Sequence, residues 1–290
     1  MPLTPNNIRG WLMKRKRKWS TFILLAVFFV GLSVMLYPTI SSYWNSRTQS
    51  QAIVDYEKML ESIKPEDYSA IFAEAEEYNK QLAQLNFPLL EYVDLDGYDE
   101  ILNLTGTGMM GYLTIDVIGV ELPVYHGTGD DVLSVAVGHL EGTSFPIGGA
   151  NTHTVVSAHR GLPNAKLFTD LDRLEIGDIF TFTILDRTIT YQVDQIKTIV
   201  PSDVSDLAIE EGEEHCTLLT CTPYGINTHR LLVRGHKIDS AQQKTIYITS
   251  DAHQIEPLIV TPIVALPILF TLMIIVLLKP VKKDDLGDDF

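Results

Sequence analysis

The placement of charge constrains this chain more than any other feature. Residues 19–46 carry no charged side chain, and neither do residues 257–278. The second stretch is 22 residues long, about 33 Å as a helix at ~1.5 Å per residue. A bilayer core is crossed by roughly 20 apolar residues. The run Lys14-Arg15-Lys16-Arg17-Lys18 precedes the first stretch, and Lys279, Lys282 and Lys283 follow the second. Basic flanks of this kind mark cytoplasmic ends. Residues 1–18 therefore read as a cytoplasmic basic tail, 19–45 as an N-terminal membrane segment, 257–278 as a C-terminal transmembrane helix and 279–290 as a cytoplasmic tail. The first segment fits a signal anchor or a signal peptide. Ile40-Ser41-Ser42-Tyr43 is a poor small-x-small cleavage site, which favours the anchor. Either way, what lies between faces outward. A buried core helix is the competing reading of 257–278, disfavoured by its length without polar interruption.

The intervening region is acidic. The whole chain has 22 Lys+Arg against 37 Asp+Glu. Its ends hold nine basic and four acidic residues, leaving 13 basic and 33 acidic between 38 and 256. Nucleic-acid binding is disfavoured, because a phosphate backbone requires a basic footprint. An acidic exterior suits an amine-bearing partner, although solubility alone accounts for it.

Residues 46–85 read as helical. Ile53, Val54, Tyr56, Met59 and Leu60 recur near helical spacing, and Pro65 followed by Glu66-Asp67 opens a second helix. From Gly111 to Ile238 the pattern changes to short β-rich runs. Tyr112-Leu113-Thr114-Ile115, Thr154-Val155-Val156-Ser157-Ala158 and Ile179-Phe180-Thr181-Phe182-Thr183-Ile184 are examples. Others begin at Thr188, Cys216 and Leu231, and turn signals such as Gly148-Gly149 and Gly177-Asp178 separate them. The spacing predicts a mainly β domain, a closed or nearly closed barrel. Gly106-Thr107-Gly108 lacks the third glycine and the frame of a nucleotide loop, and reads as an approach to the barrel.

Only two cysteines occur, Cys216 and Cys221. On one strand, five steps of ~3.3 Å separate them by roughly 16 Å and point them to opposite faces. A disulfide needs Cα atoms within about 7 Å, so Cys221 is expected to be a free thiol. It precedes the turn Thr222-Pro223-Tyr224-Gly225-Ile226-Asn227, after which the chain returns through His229, Arg230 and Leu231. This hairpin can bring Arg230 beside Cys221, where a guanidinium favours a thiolate and can hold an oxyanion. A small buried cysteine beside a solvated arginine is the bland alternative. Acyl transfer also needs a proton donor, and eight histidines compete for the role. His159 is best placed, ending a β-rich run before the turn Arg160-Gly161-Leu162-Pro163. His229 should face away from Arg230. His126, His139, His153, His215, His236 and His253 read as surface or structural residues. His215, Cys216 and Cys221 lack zinc-site spacing.

Thr217-Leu218-Leu219-Thr220-Cys221 resembles the Thr-Leu-x-Thr-Cys signature of the sortases, and the likeness continues through Thr222-Pro223-Tyr224 to Arg230. Ser157-Ala158-His159-Arg160-Gly161-Leu162-Pro163 resembles the histidine segment of that family. The region from Gly111 to Ile238, with the second hydrophobic stretch, is similar to class C sortases, the pilin-polymerising group of Gram-positive bacteria. The resemblance implies an eight-stranded sortase-type β-barrel over 111–240, a helical stalk and possible lid region over 46–110, and a linker over 241–256. It implies Cys221 as nucleophile, His159 as general acid/base and Arg230 as oxyanion or substrate stabiliser, without cofactor or metal. The implied substrates are pilins with an LPxTG-like sorting signal and an acceptor lysine, handled by an extracellular domain on the cell membrane. A sortase that anchors proteins to the cell wall, and a non-catalytic surface protein on the same barrel, are the alternatives. Many class C members carry a lid with an Asp-Pro-aromatic motif. None occurs between Leu85 and Gly111, so the usual lid is not expected; Tyr92 or Tyr98 is the substitute expected to cover the site.

Overall fold

The β-rich text between 109 and 238 becomes eight strands in the computed structural model, which describes residues 5–239 and 257–278. They are β1 (Met109–Ile115), β2 (Val120–His126), β3 (Val137–His139), β4 (Thr152–Ser157), β5 (Ile179–Ile184), β6 (Arg187–Ile199), β7 (Glu214–Thr222) and β8 (His229–Ile238). They close into a barrel in the order β1-β2-β3-β4-β7-β8-β6-β5. The β2–β3 and β4–β7 pairs are parallel and the others antiparallel. Closure falls between β1 and β5, and there Gly111 is required. A Cβ at Gly111 would lie 2.4 Å from the Thr183 carbonyl oxygen, so no other residue fits without moving the seam.

The sequence pattern does not single out β2 or β3. β2 carries Pro123, which is disfavoured inside sheets, and β3 has only three residues. β2 is held as the second strand of an antiparallel hairpin with β1, and β3 by pairing with β2 and β4.

Contacts divide the chain into two units, residues 41–251 and the two ends, 1–40 with 252–290. Helix α1 (Pro5–Ser62) is continuous for 58 residues. Residues 25–62 form a helix long and apolar enough to cross a membrane. The C-terminal stretch is a helix over its full expected length, Pro257–Leu278; its described apolar portion, Ala265–Ile275, is shorter. The expected linker, 241–256, and His253 lie outside the described residues.

Helix α2 (Pro65–Leu82) starts with proline, which tolerates the first helical turn because its missing N–H would have no partner there. Tyr68, Phe72, Ala75, Tyr78 and Leu82 recur at helical spacing and are buried in the main core with Leu113, Phe145, Phe168, Phe182 and Val233. Asn79, also buried, fixes the helix to the barrel: its Nδ2 donates to the Phe145 carbonyl at 3.2 Å, and its Oδ1 accepts from the Phe145 N–H at 2.8 Å.

β1, β4, β6 and β7 all finish at one end of the barrel, the end that carries connections 116–119, 158–178 and 223–228. The last part of α1 runs the length of the barrel from this end. Asn45 Nδ2 donates to the Asn164 carbonyl at 2.8 Å, and Gln49 Nε2 to the Val135 carbonyl. Near the opposite end the buried Tyr56 hydroxyl donates to the Met110 carbonyl and accepts from the Leu185 N–H, both at 3.0 Å.

Two histidines are buried in neutral form. His139 Nε2 donates to the Ser144 carbonyl and its Nδ1 accepts from the Tyr98 hydroxyl. His153 Nδ1 donates to the Ala208 carbonyl and its Nε2 accepts from the Thr217 hydroxyl, each at 2.8 Å. Burial pulls each ring from 6.5 down to about 4. The unfolded chain therefore binds protons between these values that the folded chain refuses. Stability from both histidines is complete above about pH 6.5 and is lost as pH falls towards 4, by about 1.4 kcal/mol per pH unit per ring. Urea titrations from pH 7 to 4.5 should show this loss, and His139→Gln combined with His153→Gln should flatten it. Tyr56→Phe leaves the Leu185 N–H and the Met110 carbonyl without partners, and should cost about 1–3 kcal/mol in the same assay.

Candidate active site

A strand directs alternate residues to opposite faces. On β7, Cys216 and Leu218 point into the main core, where burial pushes the Cys216 thiol well above its usual range. Cys221 has the opposite parity, shared with Leu219, and is half-buried near the end of the strand. Both cysteines are free, as their spacing predicts.

Two ladders fix what stands beside Cys221. Across the antiparallel β7–β8 pair, Cys221 is directly opposite Arg230, a relation that brings Cβ atoms to about 4.5–5.5 Å. On the other side, parallel β4 pairs Ser157 with Leu219. The pairing is prolonged by two bonds: the Ala158 N–H donates to the Leu219 carbonyl at 3.3 Å, and the Thr220 hydroxyl to the Ala158 carbonyl at 2.8 Å. Two residues beyond Ser157 is His159, and two beyond Leu219 is Cys221. Continued two residues past the end of β4, the same register leads to His159, on the side of β7 opposite Arg230. Cys221 and Arg230 face each other across β7 and β8, and His159 follows the strand on the other side of β7.

Arg230 Nη1 donates to the carbonyls of Asn227 (3.3 Å) and His229 (3.1 Å). No carboxylate pairs with it among the described residues. His229 pairs with Thr222, one step out of phase with Arg230, and its Nδ1 meets the Thr228 hydroxyl, so it faces away as expected.

Sequence reasoning missed what holds the two site loops together. The ring of Tyr224, in the loop after Cys221, lies on Gly161, two residues after His159. A Cβ at Gly161 would come within 2.8 Å of that ring, and φ there is +79°. The Arg160 guanidinium sits 5.9 Å from the Tyr224 ring centre and is ion-paired with Asp172. A glycine next to an arginine hints at such an arrangement only once the aromatic partner is known.

The face below Cys221 is covered. Leu89, in the short helix α3 (Pro88–Glu91), packs with Leu140 and Leu219 onto Val155, Leu207 and Leu232. A cavity of about 980 Å3 continues along this side, lined by Phe87, Leu90, Thr143, His153 and Leu207 among others. The expectation that Tyr98 covers the site is corrected. Its hydroxyl meets His139 Nδ1 at 3.0 Å and the Gly127 N–H at 3.0 Å, and its ring packs against the main core, whereas Cys221 has the outer-face parity of β7. Tyr92 packs at Gly142 and against the same core.

A closed barrel with a thiol, an imidazole and a guanidinium carried by three neighbouring strands defines a class of protein by architecture. Comparison with known proteins gives that class its name. The sortase domain family matches residues 113–238. Sortase C1 from Streptococcus agalactiae is similar in structure, with a TM-score of 0.61 and 48% identity, covering 66% of this chain and 99% of that one. A pilus-related sortase C of Group B Streptococcus has a TM-score of 0.57 and 40% identity, covering 65% and 97%. Among curated proteins, sortase D of Bacillus subtilis (strain 168) is 29% identical over 131 residues, 44% of this chain and 63% of that protein, a little under two thirds of its length. The chain belongs to the sortase family, and its structural neighbours include sortases C of streptococci.

The Thr220 hydroxyl is the side-chain tie between the His159 and Cys221 strands. Thr220→Val keeps the shape, leaves the Ala158 carbonyl unsatisfied and should cost about 1–3 kcal/mol in denaturant unfolding. Accelerated amide exchange should appear at residues 158–162 before it appears in β8.

Proposed function

We propose that the chain is a membrane-anchored cysteine transpeptidase that cuts an LPxTG-like sorting signal and joins one pilin to another. The observation that carries this reading is the register pairing of Cys221 with Arg230, with His159 following the strand on the other side of β7. The uncharged stretch of α1 and the basic run before it support a barrel outside the membrane.

In the first half-reaction the Cys221 thiolate attacks the threonine carbonyl of the signal. The Arg230 guanidinium turns its donors from the loop carbonyls to the developing oxyanion. His159, protonated, delivers its proton to the departing amine as the Thr–Gly C–N bond breaks. A thioacyl-enzyme remains on Cys221. In the second, the lysine amine of another pilin attacks the thioester, and His159 takes the proton that the amine loses. The C–S bond breaks, the thiolate is restored and an isopeptide bond has formed. Splitting the exchange this way replaces one difficult displacement by two easier ones.

The test is mass spectrometry of the enzyme mixed with candidate sorting peptides. A covalent adduct on Cys221 is expected, released by a lysine-bearing pilin and not by a wall-peptide amine. Cys221→Ala should abolish the adduct while leaving the unfolding curve in place; a variant that still joins pilins would end the proposal. Arg230→Lys should slow transfer by about 100-fold or more, since a lysine cannot reproduce the planar fork of donors. Near-normal turnover there would make Arg230 a structural residue.

A further inference from the structure

The barrel end that carries Cys221 is also the end at which α1 arrives. Asn45 is bonded to Asn164, in the same connection as His159. Tyr43 and Trp44, two and one residues earlier, are 62% and 71% exposed within the barrel unit. They stand at the close of the uncharged stretch, whose first following charge is Arg47. A tyrosine and a tryptophan at that point in a helix match the aromatic belt of a bilayer interface.

The barrel supplies more apolar surface at the same end. Tyr224 and Ile226, in the loop after Cys221, are 60% and 68% exposed. Val117, in the β1–β2 connection, and Val200, just past β6, are exposed as well. The β1–β2 and β4–β5 connections are bonded together, Lys166 Nζ donating to the Ile118 carbonyl at 3.0 Å. Two of the carboxylates on this rim are ion-paired in place: Asp172 with Arg160, and Asp170 with Lys166 and Arg173. At the other end of the barrel, the β5–β6 turn and the approach to β7 expose no large apolar side chain among the described residues. Elsewhere Phe87 and Leu90 are exposed beside the cavity, and Val54 and Met59 are exposed on α1 towards the opposite end.

We infer that the catalytic rim of the barrel is seated on the membrane surface, with Tyr43, Trp44, Tyr224 and Ile226 in contact with the interfacial layer of the lipid bilayer. The inference rests on the membrane anchoring proposed above and adds an orientation to it. Along α1 the Trp44 to Asn45 step is ~1.5 Å, so an interface at Trp44 is an interface at the Asn164 connection too. Side chains of this kind bury about 5–10 Å into the boundary between headgroups and acyl chains. β7 is nine residues long, so its other end lies roughly 26 Å away along the strand and stays in water. The thiol then opens close to the bilayer plane.

The experiment uses the full chain carrying Cys221→Ala, in which the remaining Cys216 is buried and does not label. Single exposed cysteines are introduced as Ile226→Cys and Val117→Cys on the rim, and as Asp186→Cys in the turn at the opposite end. Each carries an environment-sensitive fluorophore. Every variant is reconstituted into phosphatidylcholine–phosphatidylglycerol vesicles, with or without brominated acyl chains. Co-flotation with vesicles reports the anchoring itself. Loss of fluorescence in brominated vesicles at 226 and 117, with none at 186, is the expected result. A protein that floats but shows equal quenching at all three positions, or quenching only at 186, overturns the seating and leaves the anchoring intact. Failure to float overturns both.

Discussion

Everything about the site depends on β7 having two different kinds of neighbour. Its antiparallel partner β8 returns directly through a short loop and delivers Arg230 opposite Cys221. Its parallel partner β4 comes from 60 residues earlier and delivers His159. A parallel pair cannot be closed by a tight turn, so the two functional halves of the site arrive by independent routes. Small register errors are costly in such an arrangement, because a slip of one residue turns a side chain from the outer face to the core. The bonds around Ala158 and the packing of Tyr224 on Gly161 act against such slips.

The second level of organisation is the outer face of β4, β7 and β8. The barrel interior is filled in the ordinary way by Leu218, Val156, Leu231 and Val233. The outer face is also apolar, with Val155, Leu219 and Leu232, and it is roofed by Leu207 and Leu89. A strand that is apolar on both faces has something lying against it. Here the cover comes partly from α3, a four-residue helix with exposed Phe87 and Leu90 on its outer side. Such a short element contributes little burial of its own, and it stands beside a large cavity. No Asp-Pro-aromatic motif occurs between Leu85 and Gly111, yet the space along the face below the thiol is not empty. An aliphatic side chain occupies it.

Much of this was legible in the amino-acid sequence, for reasons that differ from element to element. Helix α2 declares itself through Pro65 and the recurrence of Phe72, Ala75 and Leu82. The seclusion of Cys216 from Cys221 follows from strand parity and a five-residue spacing. The Arg230 neighbourhood follows from the shortness of the hairpin loop. By contrast, nothing local to residues 152–159 says that β4 lies beside β7. That placement was carried by the family resemblance, because parallel pairing leaves no turn to read. β2 and β3 escaped for simpler reasons: one contains Pro123, and the other is three residues long. Tyr98 was misplaced because an exposed-looking aromatic in a connection gives no sign of the buried His139 and Phe145 that capture it. His139 and His153 read as surface or structural residues, but only coordinates reveal that both are buried and satisfied as neutral rings.

The confinement of Cys216 has a chemical consequence of its own. The chain contains two sulfhydryl groups, and the fold points them to opposite sides of one strand, one of them sealed inside. A sulfenic acid formed on Cys221 by an oxidant therefore has no resolving sulfur within the same molecule to condense with. Its rescue depends on a thiol supplied from the surroundings, and without one the path leads on to the irreversible acids. The same geometry prevents internal cross-linking from silencing the protein, so its working lifetime on an aerobic surface is set by the redox chemistry of its environment.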